Sequence, residues 1–66
     1  MSVAKVIEIT AQSPDGFDAA IEQGLAKAAE SIHNIRHAWV KDHEVTVADG
    51  AITQWKVSLK VTFLLD

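Results

Sequence analysis

His37, Trp39, Lys41 and His43 recur at every second position. On an extended strand they share one face, and Ala38, Val40, Asp42 and Glu44 share the other. The first set brings together two imidazoles, an indole and an ammonium group. An indole gives a flat ligand a stacking platform worth about 0.5–1.5 kcal/mol beyond the area it buries. Packing of Trp39 into a core or a subunit interface is the competing reading. Trp55 falls on the apolar side of its own segment and reads as structural.

Spacing opposes a metal centre built from His33, His37 and His43. The first two are four residues apart, which would serve on a helix, but the predicted helix ends between them. The second pair is six residues apart on a strand, or ~20 Å at ~3.3 Å per residue, too far to share an ion. A metal would need one His from each of several copies of the chain, or rings of Asp or Glu around a hard cation such as Ca²⁺ or Mg²⁺. No metal ligands are assigned within one chain. No catalytic residues are assigned either. There is no Cys nucleophile, no Ser with a base and orienter, and no Gly-rich phosphate loop. The chain does not read as an enzyme.

The elements that position these residues follow from hydrophobic period. Val3 to Ile9 alternates and is rich in β-branched residues, which predicts a strand. Thr10-Ala11-Gln12 carries no helix or strand signal. Ser13-Pro14 reads as a helix start, with Ser13 as the capping hydroxyl and Pro14 in the first helical position. Phe17, Ala20, Ile21, Gly24, Leu25, Ala28 and Ile32 then form one apolar stripe. The helix is predicted to run to about His33, with Asn34 as a left-handed terminator. Gly24, mid-helix, costs about 1 kcal/mol against Ala and implies a close neighbour.

From Ile35 the period becomes two. Asp49-Gly50 is a type I′ hairpin signal joining a strand over 35–48 to one over 51–65. In the second strand Ala51, Thr53, Trp55, Val57, Leu59, Val61, Phe63 and Leu65 should cover the helix. Gln54, Lys56, Ser58, Lys60, Thr62 and Leu64 should face away from it. The predicted fold is α+β, a β-α-β-β unit whose three-stranded antiparallel sheet, in order 1-3-2, curls over one helix. Residues 1–66 read as a single domain without repeats or linkers.

Sixty-six residues bury ~6,300 Å² on folding. The apolar share of that stabilises by roughly 95 kcal/mol, against roughly 100 kcal/mol for ordering the chain. Small chains escape this balance through disulfides, metals or association. With no Cys, association with copies of itself is the expected route, and a reducing, cytoplasmic setting fits. The net charge is −3 and the six basic residues are scattered, so neither nucleic acid nor an anionic membrane is an expected partner. No apolar run approaches membrane-spanning length, and no signal-peptide pattern opens the sequence.

Taken together, three stretches resemble the dodecins, small flavin-binding proteins of bacteria and archaea. They are Val3-Ala4-Lys5-Val6-Ile7-Glu8-Ile9; Ser13-Pro14-Asp15-Gly16-Phe17-Asp18-Ala19-Ala20 with Gly24-Leu25-Ala26-Lys27-Ala28; and Trp55-Lys56-Val57-Ser58-Leu59-Lys60-Val61-Thr62-Phe63. The resemblance implies a β-α-β-β subunit, twelve of which close into a hollow homododecamer. It also implies binding of riboflavin, FMN or FAD between aromatic side chains of two subunits, for storage or sequestration. His37 stands where flavin-binding members carry the stacking Trp, and Trp39 where they carry an acid. Lys56 stands where they carry a Gln that meets the flavin ring. The cofactor-binding residues expected here are therefore His37, Trp39 and Lys56. The alternative is an assembly of the same fold without flavin, which holds cations or another small ligand or serves only as an assembly.

Overall fold

The structure, a computed structural model, describes residues 2–65. Four elements succeed one another: β1 (Val3–Ser13), α1 (Phe17–Ala29), β2 (Ile35–Ala48) and β3 (Ala51–Leu65). The strands form one antiparallel sheet in the order β1-β3-β2. The expected β-α-β-β topology and the bounds of the last two strands match the structure.

The core lies between α1 and one face of the sheet. Val57, Leu59 and Val61 of β3 and Ala20 of α1 are fully buried. Ile7, Ile9, Ala11, Phe17, Ile21, Leu25, Ile35, Ala38 and Val40 pack around them. As expected, Asp49 and Gly50 both take positive φ, 53° and 78°, and so does Asn34 at 63°. The carbonyl of Asn34 accepts the Leu64 N–H at 3.0 Å, which ties the helix exit to β3.

Both helix ends differ from expectation. Ser13 is not the cap; it is the buried last residue of β1, paired with Trp55, and its Oγ accepts the Asp15 N–H at 3.1 Å. Gly16 has φ 116° and ψ 173°, a conformation closed to residues with a side chain, so the helix starts only after it. The first helical bond runs from the Ala20 N–H to the Gly16 carbonyl, 3.1 Å. At the other end the Glu30 and Ser31 N–H groups bond three residues back, to Lys27 and Ala28, which tightens the last turn. The helix stops at Ala29, four residues short of His33.

Strand β1 in turn runs four residues past Ile9. Ala11 and Gln12 have weak strand propensity, but Ala11 faces the helix at Gly24. A Cβ added at Gly24 would lie 2.9 Å from the Ala11 Cβ. The mid-helix glycine thus has its packing reason: two small residues let α1 settle onto β1. Tertiary fit overrides local preference here.

Strand β2 breaks its own alternation. Its pairing with β3 slips between Ile35 and His37, between Val40 and Asp42, and between Thr46 and Val47. Arg36 and Lys41 are the extra residues of the first two bulges, and each inverts the facing of the strand residues after it. Among the described residues no helix is long and apolar enough to cross a membrane.

Candidate functional site

The sheet face turned away from α1 is read from the pairing as cross-strand rows. Val6, Thr62 and His37 form one, Glu8, Lys60 and Trp39 the next, then Thr10, Ser58 and Asp42, and last Gln12, Lys56 and Glu44. His37 and Trp39 therefore share this outer face in adjacent rows, as expected. His43 does not join them. The bulge at Lys41 puts it opposite Val57 on the helix side, where its ring meets Phe17 edge-on, with centroids 4.7 Å apart at 86°. Asp42 and Glu44 move to the outer face for the same reason. A strict every-second-residue reading cannot register an inserted residue.

Trp39 is 63% exposed. A large ring left in water on a sheet face is a surface waiting to be covered. The Lys60 Nζ lies 5.6 Å from the centroid of its ring, within cation–π range. Glu8 is opposite Lys60 in register, yet its Oε1 accepts from Lys41 Nζ at 3.5 Å. Among the described residues Lys60 makes no ion pair, and the indole takes that role.

Lys56 sits on the same face but two rows beyond Trp39. Four residues separate it from Lys60 along β3, or ~13 Å. Its Nζ donates to Glu44 Oε1 at 3.1 Å, across a pair that is also partners in register. With Asp42, His43 and Ser58 these two residues line a hollow of about 230 Å³. The outer face therefore holds His37 and Trp39 together, with Lys56 apart and engaged. Lys60 and Glu44 carry no motif that would mark them in the sequence. Only the register brings them to Trp39 and Lys56.

The residues present suit a flat, polar-edged ligand such as a flavin. They supply an open indole, an imidazole one row away, the Thr62 and Ser58 hydroxyls, and lysine donors. A cation is less well served by one subunit, since among the described residues no three His, Asp or Glu side chains are grouped to hold a metal ion.

Comparison with known proteins agrees with this architecture. The family model described as Dodecin matches residues 3–66. A dodecin of Thermus thermophilus is 30% identical over 64 residues, spanning 97% of this chain and 93% of the relative. A protein of Mycobacterium tuberculosis named calcium dodecin is 32% identical over 63 residues, spanning 96% and 89%. The solved dodecin from Streptomyces davaonensis superposes with a TM-score of 0.94 at 35% identity, covering 98% of this chain and 96% of that one. The chain belongs to the dodecin family.

Proposed function

We propose that this chain assembles with copies of itself, as a hollow homododecamer, and takes up a flavin (riboflavin, FMN or FAD) for storage or sequestration in the cytoplasm, without turnover. The observation that carries the reading is Trp39, 63% exposed on the open sheet face. In this proposal Trp39 stacks on the flavin ring, His37 borders it, and Lys56 meets its polar edge or a phosphate. Lys56 would reach the ligand only after leaving Glu44, or from a neighbouring subunit.

Self-assembly is supported by shape. The radius of gyration is 13.6 Å, where a compact chain of this length has about 10.8 Å. The accessible surface is 4641 Å², against about 4,100 Å² expected for its mass. Val45, Val47 and Ile52 stand exposed on the hairpin arm, and β1 and β2 leave two open sheet edges.

The test is titration of riboflavin and FMN with purified protein while flavin fluorescence is followed, with native mass spectrometry for subunit count. Quenching by micromolar protein and a twelvefold mass are expected. Unquenched flavin would retire the ligand reading, and a stable monomer would retire the shell.

A second reading draws on the Mycobacterium tuberculosis relative, which is named calcium dodecin. Asp42 and Glu44 lie in adjacent outer-face rows, so copies meeting there would gather carboxylates around Ca²⁺. Calorimetry with Ca²⁺ after chelator treatment separates this from the flavin reading.

A further inference from the structure

Resting on the flavin reading, we propose that Lys60 is a specificity-determining residue of the Trp39 platform, selecting flat aromatic ligands that carry an anionic group over the same rings without one. Three observations converge on it. The ammonium lies 5.6 Å from the indole centroid. Its register partner across β1–β3, Glu8, is turned to Lys41 instead. Among the described residues Lys60 has no carboxylate partner, whereas Lys27, Lys41 and Lys56 each have one.

A cation held only by a ring quadrupole exchanges that weak contact readily for a full negative charge. A neutral ring seeking the Lys60 side of the indole must displace the ammonium and leave it without a counter-charge. A ring bearing a phosphate displaces it and pairs with it. The Glu8–Lys41 pair contributes no net charge beside the platform; within the Trp39 row the charge left over is that of Lys60, and the Asp42 carboxylate stands one row further along, opposite Ser58. His37 and Thr62, in the neighbouring row, offer further polar contacts to either ligand.

FMN and riboflavin are the matched probes, since they share one ring system and differ in a phosphate. At low salt FMN should bind roughly fivefold more tightly than riboflavin, the scale of one partly exposed ion pair. In about 0.5 M salt, where the Debye length falls to ~4 Å, the ratio should approach one. Lys60→Gln should abolish the preference while riboflavin still binds, and Lys60→Arg should restore it. Equal affinities in the unaltered protein, or a preference that survives Lys60→Gln, overturns the proposal while leaving flavin binding intact. Failure of both flavins to bind overturns it together with the reading it rests on.

Discussion

The two faces of this sheet are made from the same three strands and obey opposite rules. On the helix side Val57, Leu59 and Val61 are sealed, and even one methyl group is contested where Gly24 meets Ala11. On the outer side Trp39 stands in water beside half-exposed ion pairs. Burial therefore concentrates on one face, and the recognition proposed above belongs to the other. The first is expected to tolerate little change, and the second more.

The difference is sharpest for Leu59→Ala. Truncating this fully buried side chain should cost about 2–5 kcal/mol, read as a collapse of the thermal midpoint at fixed protein concentration. A change within experimental error would mean that the core is not where the burial places it. Gly24→Ala is the subtler probe of the same face. The added methyl would lie 2.9 Å from the Ala11 Cβ, and overpacking of that kind costs about 1–3 kcal/mol. The gain in helix propensity returns up to ~1 kcal/mol. A net destabilisation that Ala11→Gly partly relieves is expected; a more stable Gly24→Ala variant would show that the helix is free to lift.

Changes on the outer face should leave folding nearly untouched. Trp39→Ala should weaken flavin binding by about tenfold and keep the melting midpoint of the folded subunit. Flavin quenching that persists unchanged would move the platform elsewhere. The smallest effect is expected from Glu44→Gln. Its pair with Lys56 is 67% and 40% exposed at the two side chains, so the stability cost should stay below about 1 kcal/mol. Freed from that carboxylate, Lys56 should bind FMN somewhat better at low salt. Weaker FMN binding would assign Glu44, not Lys56, the contact with the ligand.

The inner face is largely legible from the chain itself. The Asp49-Gly50 turn places the hairpin, and the apolar alternation of β3 from Trp55 to Phe63 marks its buried side. Asn34 announces the helix exit because few other side-chain-bearing residues accept positive φ. The helix ends are harder. Ile32 extends the apolar stripe past the last helical turn, and Pro14 advertises a start that the backbone of Gly16 forbids. Outer-face partnerships are least legible. Whether Lys60 meets Glu8 or Trp39 depends on pairing and side-chain direction, and the bulge at Lys41 leaves no compositional trace. Strict alternation places His43 on the Trp39 face, wrongly, for that reason alone.

That single inserted residue behaves like a comma in the strand. Just upstream of it, at His37 and Trp39, odd-numbered β2 side chains address the open side; downstream, at Asp42 and Glu44, even-numbered ones do. Removing one codon at Lys41 would therefore take out the pause and leave every later pair as it is. Asp42 would follow Val40 directly, still opposite Ser58 on the open side, and His43 would stay opposite Val57 beside Phe17, so that plain alternation would then describe the strand correctly.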